Sequence, residues 1–382
     1  IFIEDYSIKT ITSLNVFRND VFMVIIGPEG PIVGGLENKL RDNGIFTIAP
    51  SRDSSKIEWS KIYARNLLDT SSYLKKFNPF FGDLKNQLGE NITHESLVDS
   101  ILKFRTLNNS KVVIKKDGLC GGKGVFVEDD HFTITSREDF LESKFIANLL
   151  DYILIENNNI LLEEKLEGIE FSLMSLVDQN ENFVHFDPVF DYKRLENGDQ
   201  GANTGSMGAV LLDYESQKNV IGFEAIQDAK KVNEATVNEL NLNSNERYKG
   251  VLYGSFILLP NNTIKVIEFN CRFGDPEGVL NLMNTHNDLI SVFSHVQTKT
   301  LNKVILKSKN LNIVGVYLVP ENYGLSVKKN DRYDIFFRGN MKDVHESVLN
   351  NRIFNDLSVV YGSCDMINNN LKTAISRTIL VT

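Results

Sequence analysis

The chain lacks the features of several common protein classes. Its three cysteines, Cys120, Cys271 and Cys364, are far apart and form no metal-binding or redox pair. No apolar run approaches the roughly 20 residues that a transmembrane helix needs. The opening IFIEDYSIKT is neither a signal sequence nor an Arg-rich transit peptide. These absences favour a cytoplasmic protein with no membrane partner.

An excess of positive charge is also lacking. The chain has 41 Lys and Arg against 50 Asp and Glu, a net charge of -9. Proteins that bind nucleic acid without sequence preference need a basic excess, so we expect no nucleic-acid partner. Anionic small molecules remain possible because local basic groups can dominate a site. The length of 382 residues, with 42% hydrophobic and 24% charged residues, predicts two or three globular folding units.

The N-terminal region alternates strand, helix and strand. VFMVIIG from Val21, the helix LENKLRDNG and the strand IFTIAPS predict a parallel α/β unit. The Gly-rich loop between Gly27 and Gly35 can present N-H groups to an anion, although a plain tight turn explains it equally well. Because the first strand resembles the middle of such a unit, we expect an upstream strand and helix to be missing.

The segment from Val266 to Glu277, VIEFNCRFGDPE, places an acid, an amide and a guanidinium on one face of a strand. Glu268, Asn270 and Arg272 alternate with apolar neighbours. Two oxygen ligands suit Mg²⁺, and an adjacent Arg suits a phosphate or carboxylate. A half-buried strand with a solvated face shows the same alternation, but the Gly-Asp-Pro turn that follows favours a site.

The segment from Lys115 to Gly124, KKDGLCGGKG, combines glycines and lysines between two predicted strands. It lacks the spacing and the following helix of a Walker loop. Glycines let the backbone close over phosphates and Lys neutralises their charge, whereas the alternative is a solvated hairpin. The segment from Leu161 to Ser172 has acids that could hold a nucleoside, although a charged strand edge is common.

The segment from Asp191 to Gly208 is rich in glycine and in charges of both signs, and we predict a long binding loop for a small polar ligand. After about Lys303 we predict a closing structural domain. It has strands at NIVGVYLVP and YDIFFRG and a terminal helix from Asn368 to Arg377, without a cluster of catalytic groups.

Five motifs, in order between Val21 and Leu282, resemble those of the glycinamide ribonucleotide synthetase family of the ATP-grasp superfamily. GPEGPIVGG resembles GPE-x-PL-x-x-G, WSKIYAR resembles GSK-x-x-x-K, and KKDGLCGGKGV resembles KADGLAAGKGV. DYKRLENGDQGANTGSMG resembles DHKR-x-x-x-x-D-x-GPNTGGMG, and EFNCRFGDPE resembles EFN-x-RFGDPE. The last two separate this family from other ATP-grasp ligases.

The resemblance implies an α/β fold that is α+β in its ATP-grasp part. The expected domains are an incomplete N-terminal α/β substrate-binding domain (1-59), an ATP-grasp domain (60-303) and a C-terminal α/β domain (304-382). A small lid subdomain is expected at about 111-165.

The resemblance also assigns roles to individual residues. The expected catalytic residues are Lys115, Arg272 and Glu268, and the expected metal ligands are Glu268 and Asn270. The residues expected to contact ATP are Lys61, Lys115, Gly121, Gly122, Lys123, Gly124, Glu163, Glu164, Lys165, Leu166 and Glu170. Those expected around the substrates are Gly27, Pro28, Glu29, Asp191, Lys193, Asn203, Thr204, Gly205, Arg272, Asp275 and Pro276.

The implied reaction is ATP-dependent ligation of glycine to phosphoribosylamine through glycyl phosphate, in purine biosynthesis. ATP and Mg²⁺ or Mn²⁺ would be required, and the enzyme would be a monomer or homodimer. Another ATP-grasp carboxylate-amine ligase and a non-catalytic nucleotide-binding homologue are the alternatives.

The chain departs from the family pattern at several positions. Nothing matches the family's opening GSGGREHA segment. Tyr192, Ala202, Ser206 and Gly278 replace the His, Pro, Gly and Thr of the family. Ser206 adds a side chain where the backbone is expected to approach a ligand closely.

Overall fold

The computed structural model describes residues 23–89, 92–120, 124–155, 158–198, 200–321, 323, 358–367, 370–373 and 376–382. Its strands are β1 (Val24–Ile25), β2 (Thr47–Ile48), β3 (Phe81–Asp83), β4 (Val112–Lys116), β5 (Val125–Val127), β6 (Ile160–Glu164), β7 (Ile169–Val177), β8 (Phe183–His185), β9 (Val189–Glu196), β10 (Gln200–Leu211), β11 (Gly250–Leu258), β12 (Ile264–Asn270), β13 (Ile313–Leu318), β14 (Val359–Tyr361), β15 (Cys364–Ile367), β16 (Asn370–Thr373) and β17 (Ile379–Val381).

The α-helices are α1 (Glu29–Val33), α2 (Leu36–Asp42), α3 (Lys56–Trp59), α4 (Lys61–Thr70), α5 (Leu84–Leu88), α6 (His94–Asn108), α7 (Arg137–Leu141), α8 (Lys144–Leu154), α9 (Tyr214–Val220), α10 (Phe223–Leu242), α11 (Glu277–Asn284) and α12 (Leu289–Gln297). Short 3₁₀ helices cover Leu74–Phe77 and Leu301–Lys303. Within the described part of the chain, no helix has the length and apolar character needed to cross a membrane.

The chain divides into two compact units. The first unit contains residues 1–186, 218–273 and 287–306, and the second contains residues 187–217, 274–286 and 307–382. The division falls inside the VIEFNCRFGDPE motif, so its strand belongs to the first unit and its GDPE turn to the second.

The first unit begins with the predicted parallel α/β arrangement. β1 and β2 pair in parallel, with Val24 opposite Thr47. Leu36 and Leu40 of α2 lie one turn apart and join Ile32 in a small core. The predicted strand-helix-strand pattern is therefore confirmed for the described residues.

A four-stranded antiparallel sheet, in the order β3-β6-β4-β5, forms a small layer of the first unit. Its core includes Ile146, Leu149 and Ile153 of α8, which recur at helical spacing and are all buried. The Ser143 side chain accepts a hydrogen bond from the Ile146 N-H and caps the start of this helix. The layer positions β4 and β6, which carry several of the predicted ATP contacts.

A second antiparallel sheet in the first unit has the order β12-β11-β7-β8. Every residue of β11 is buried, and α10 packs against this strand. The turn between β11 and β12 contains Asn262 with φ of 62°, as expected for an Asn in a tight hairpin. This hairpin, predicted from Asn261-Asn262, is confirmed.

A β-bulge lies in β12 immediately before Glu268. Ser255 of β11 is opposite Glu268, but the next residue, Phe256, is opposite Val266, so Ile267 is the extra residue. A bulge bends its strand and redirects the neighbouring side chains. β12 is also the edge strand of this sheet, so carbonyls on its outer side are available to donors outside the sheet.

The second unit contains a sheet in the order β9-β10-β13-β17-β14. The prediction of a long loop from Asp191 to Gly208 is wrong for most of its length, because β9 and β10 pair as a hairpin with Tyr192 opposite Gly208. Pairing on both sides of β10 overrides the weak strand propensity of its glycines. At Gly208 a Cβ would lie 2.3 Å from the Gly315 carbonyl oxygen, so glycine permits the close approach of β13.

The predicted terminal helix from Asn368 to Arg377 is also wrong. β15 and β16 form an antiparallel pair with Ile367 opposite Asn370, and β17 follows at Ile379. A short stretch of mixed polarity fits either structure, and strand pairing decides the outcome here. The predicted strand YDIFFRG lies outside the described residues.

Candidate functional site

A buried network of three charged side chains joins the four-stranded sheet to α4 in the first unit. The Lys115 Nζ lies 2.7 Å from the Glu163 Oε2, and the Arg65 Nε lies 2.7 Å from the Glu163 Oε1. β4 and β6 create this arrangement because Val113 is opposite Glu163 and Lys115 is two residues further on the same face. Burial acts to raise the pKa of Glu163, but the two cations outweigh it and lower the pKa.

The same two cations bind the bulged strand β12. The Ile267 carbonyl accepts hydrogen bonds from the Arg65 Nη2 at 2.6 Å and from the Lys115 Nζ at 3.3 Å. Arg65 also donates to the Val266 carbonyl at 3.0 Å. The backbone on which Glu268 stands is therefore fixed to the Lys115 network.

Glu268 and Asn270 lie near the end of β12 and are both partly exposed, whereas Phe269 between them is buried. Glu268 is close enough to influence the ionisation of Lys115 and of Glu58. Within the described ranges, no group of three or more His, Cys, Asp or Glu side chains is arranged to hold a metal. A carboxylate and an amide oxygen still fit Mg²⁺, which commonly takes one or two protein ligands and completes its shell with phosphates and water.

Arg272 lies between two carboxylates of the first unit. Its Nε is 3.1 Å from the Glu29 Oε2 and 3.3 Å from the Glu58 Oε1. Neither the Arg272 Nε nor the Glu58 Oε1 forms a hydrogen bond, so the contacts of Arg272 with the two carboxylates are ion pairs. Burial raises the pKa of Glu58 to about 7, although Arg272 and the Cys271 N-H oppose the rise.

Lys61, at the start of α4, contacts the Gly-rich segment. Its Nζ donates to the Gly118 carbonyl at 2.9 Å, and Ser60 caps the helix by accepting from the Tyr63 N-H. Gly124 is packed closely, since a Cβ there would lie 2.6 Å from the Cys120 Cβ. The predicted contacts Gly121, Gly122 and Lys123 lie outside the described residues.

The predicted adenine-side residues have different environments. The Glu164 Oε1 accepts from the Phe80 N-H at 2.8 Å, and the Lys165 Nζ donates to the Glu128 carbonyl at 3.2 Å. Leu166 is half-buried and Glu170 is exposed. The structure gathers Lys115 and Glu163 into one network, while Glu164 and Lys165 contact the neighbouring backbone.

Asp191, which is half-buried, pairs with the buried Ser206 in the second unit. The Ser206 Oγ donates to the Asp191 Oδ1 at 2.5 Å and accepts from the Gly208 N-H at 3.1 Å. Burial and the nearby Glu277 raise the pKa of Asp191 to about 7, whereas Lys193 and Ser206 oppose the rise. The hydroxyl that replaces the family's glycine therefore points inward and orients Asp191.

Asp275 and Gly205, both predicted near the substrates, are contacted by side chains from the C-terminal part of the second unit. The Arg377 Nη2 lies 3.0 Å from the Asp275 Oδ2, and the Tyr317 hydroxyl donates to the Asp275 Oδ1. The Arg377 Nη1 donates to the Gly205 carbonyl at 3.2 Å. The expectation that this part holds only structural residues overlooked these contacts.

The remaining predicted substrate residues are dispersed over the two units. In the first unit Gly27 and Pro28 are exposed directly before α1. In the second unit the Thr204 Oγ1 donates to the Lys193 carbonyl at 2.8 Å, Asn203 is half-buried, and Pro276 is the buried N-cap residue of α11.

Several residues of these sites were missed from the sequence. Arg65 occupies the last position of the segment matched to GSK-x-x-x-K, and Glu58 directly precedes that segment, so both positions carried a signal. No comparable signal marked Tyr317 and Arg377.

The fold and the site of the first unit define an ATP-grasp protein. A family model described as phosphoribosylglycinamide synthetase, ATP-grasp (A) domain, matches residues 80–278. The chain belongs to the phosphoribosylglycinamide synthetase family. This confirms the family and the mixed helix-and-sheet fold expected from the motifs.

Relatives and a solved structure agree with this assignment. The chain is 30% identical over 335 residues to phosphoribosylamine-glycine ligase of Methanocella arvoryzae, covering 84% of this chain and 69% of the relative. It is 35% identical over 312 residues to the ligase of Methanococcus maripaludis strain C7, covering 81% and 65%. The chain thus spans about two thirds of the length of these relatives.

A crystal structure of phosphoribosylamine-glycine ligase from Thermotoga maritima is similar in fold. The TM-score is 0.65 at 23% identity, and the match covers 97% of this chain and 79% of that chain.

Proposed function

We propose that the chain catalyses ATP-dependent ligation of glycine to 5-phosphoribosylamine, giving glycinamide ribonucleotide, ADP and phosphate. A glycine carboxylate oxygen attacks the γ-phosphorus of ATP and ADP leaves, giving glycyl phosphate. The nitrogen of phosphoribosylamine then attacks the acyl carbon, phosphate leaves and the nitrogen loses a proton. The names of the relatives and the five matched motifs support this substrate pair.

The observation that carries the proposal is the hydrogen bond from Lys115 to the Ile267 carbonyl. It fixes a buried ammonium beside the backbone of Glu268. Phosphoryl transfer depends on positioning and on offsetting the charge of the transferred group, and it needs no nucleophile from the protein. We assign the ATP phosphates to Lys115 and Lys61, and the contacts of Gly121, Gly122, Lys123 and Gly124 with ATP stay predictions.

Glu268 and Asn270 are the proposed ligands of Mg²⁺ or Mn²⁺. The ion would supply positive charge to the phosphate oxygens when it is bound. The two side chains provide the hard oxygen donors that such an ion prefers, and Lys115 and Arg65 hold the strand that carries them.

The adenine pocket is proposed at Glu163 to Leu166, with Glu170 near the ribose. Arg65 and Lys115 occupy both carboxylate oxygens of Glu163, so this side chain serves the buried network rather than the nucleoside. The proposed contacts of glycine and phosphoribosylamine are Gly27, Pro28, Glu29, Asp191, Lys193, Asn203, Thr204, Gly205, Arg272, Asp275 and Pro276. The predicted domain boundaries, monomer or homodimer state and cytoplasmic location stay predictions.

ADP formation tests the proposal. The wild-type chain should release ADP when glycine and phosphoribosylamine are both present and should release none when either is omitted. ADP release with a different acid and amine would favour another ATP-grasp ligase. Nucleotide binding without turnover would favour a non-catalytic homologue.

Glu268→Ala tests the metal assignment. We expect it to abolish ADP release while the far-UV circular dichroism and the unfolding midpoint stay close to wild type. Glu138→Ala removes an exposed carboxylate of α7 and serves as the matched control, with normal activity. Near-normal turnover in Glu268→Ala would overturn the assignment.

A further inference from the structure

Three side chains from the C-terminal part of the second unit contact the two segments that are predicted to surround the substrates. Tyr317 lies on β13, Tyr323 is buried, and Arg377 directly precedes the stretch that leads into β17. The segments they contact contain Gly205 and Asp275. We call these three side chains the C-terminal frame.

The frame holds Asp275 at three points. The Arg377 Nη2 forms an ion pair with one carboxylate oxygen at 3.0 Å, and the Arg377 Nη1 donates to the Asp275 backbone carbonyl. Tyr317 donates to the other carboxylate oxygen. The Asp275 side chain is still 50% exposed. Its orientation is therefore fixed while part of the carboxylate remains open to a ligand.

The frame also holds Gly205. Arg377 donates to the Gly205 carbonyl, and the Gly205 N-H donates to the Tyr323 hydroxyl at 3.3 Å. A Cβ at this position would lie 3.4 Å from both the Arg377 Cζ and the Tyr323 hydroxyl. The N-H and the carbonyl of the exposed Gly205 are thus both hydrogen-bonded to the C-terminal frame.

Arginine is suited to this position by its shape. Its planar guanidinium bonds two carbonyls and a carboxylate at once, and it lies over the Tyr317 ring at 5.3 Å from the ring centroid. Lysine has the charge but lacks the planar fork. A substitution by lysine should therefore keep only part of the arrangement.

We propose that Arg377 is a positioning residue for the substrates of the ligase, acting through Asp275 and Gly205. This inference rests on the proposed function and adds the C-terminal frame to its substrate site. Asp275, held by Arg377 and Tyr317, presents its open lone pairs to an amino group of the substrates. Loss of the frame releases both segments and weakens binding of glycine or phosphoribosylamine, whereas ATP binding is retained.

Steady-state kinetics of the full chain test this inference. Arg377→Met should raise KM for glycine or phosphoribosylamine at least tenfold and change KM for ATP by less than twofold, with Arg377→Lys intermediate. Arg247→Met removes an exposed arginine that is 2.7 Å from Glu181 and should leave all three KM values unchanged. Equal increases in all three KM values in Arg377→Met, or no increase, would overturn the inference.

Hydrogen exchange gives a readout that does not depend on turnover. In Arg377→Met, peptides covering 200–211 and 274–284 should exchange at least tenfold faster, while peptides of 160–177 should be unchanged. Unchanged exchange at 200–211 and 274–284 would overturn the inference. If the wild type gives no ADP with glycine and phosphoribosylamine, the proposed function fails, and exchange alone then decides whether Arg377 positions these segments.

Discussion

Arg65→Met should be among the most destabilising substitutions in the first unit. Arg65 is 3% exposed and binds the Glu163 carboxylate and the carbonyls of Val266 and Ile267. Methionine has a similar length and no donor. The substitution leaves Glu163 with Lys115 as its remaining cation and removes a donor from each of the two carbonyls.

The expected loss of folding free energy is about 4 kcal/mol. Removing one partner of a buried ion pair costs roughly 3–5 kcal/mol, and each buried acceptor left without a donor costs about 1–3 kcal/mol. The two effects do not add fully, because Lys115 still pairs with Glu163 and still donates to the Ile267 carbonyl. Arg65→Lys keeps a charge but forms fewer hydrogen bonds, so a loss of about 2 kcal/mol is expected.

Urea unfolding followed by tryptophan fluorescence measures this loss, since Trp59 lies two residues before α4. Arg137→Met is the matched control, because Arg137 pairs with Asp99 at 2.7 Å while both side chains are about half exposed. An exposed pair contributes about 0–1 kcal/mol. Unfolding free energies of Arg65→Met and wild type that agree within about 1 kcal/mol would refute the reasoning.

The same variant should change the dependence of stability on pH. The pKa of Glu163 lies below its ordinary value of 4.5 in the folded protein. Its charge therefore contributes stability above that ordinary value, and the contribution is lost as the pH falls through the lowered pKa. In Arg65→Met the pKa of Glu163 should rise toward 4.5, so its difference from the unfolded value narrows and the variant should lose less stability on acidification than the wild type. Parallel acid-unfolding curves for the two proteins would contradict this expectation.

Two further predictions concern the proposed reaction. Ser206→Gly removes the hydroxyl that lowers the pKa of Asp191, so this pKa should rise above about 7. The acid limb of the pH profile of kcat/KM should then move to higher pH. An acid limb that does not move would show that the ionisation of Asp191 does not affect the reaction. Chelation of divalent metal with EDTA should stop ADP release, and added Mg²⁺ or Mn²⁺ should restore it; full activity in EDTA would contradict the proposed role of Glu268 and Asn270.

The sequence predicts local features of this fold well. The parallel α/β start and the hairpin at Asn261-Asn262 depend on neighbouring residues, and the structure has both. The predicted alternation along β12 holds from Glu268 to Arg272 but is interrupted by the bulge at Ile267. The strand β10 was missed because its glycines and polar residues resemble a loop. Its strand conformation depends on pairing with β9 and β13, which a local pattern does not contain.

The candidate site divides in the same way. Motif position identified Lys115 and Glu268, but the partners that fix them are distant in sequence. Arg65 is 98 residues from Glu163 along the sequence. Glu58, which accepts a hydrogen bond from the Cys271 N-H, is 213 residues from Cys271. Such pairings follow from the assembled sheets and helices, so residue types and spacing alone could not supply them.

The Ile267 carbonyl links Lys115, the proposed phosphate contact, to the strand that carries Glu268, the proposed metal ligand. Ile267 lies on the edge strand β12 of its sheet, and its carbonyl accepts from Arg65 and Lys115. An anion that binds Lys115 would contact the same ammonium group that links β4 to β12, the strand of Glu268. If Lys115 binds the ATP phosphates and Glu268 binds the metal, as proposed, this one oxygen atom links the two sites, and a change at Lys115 should disturb both.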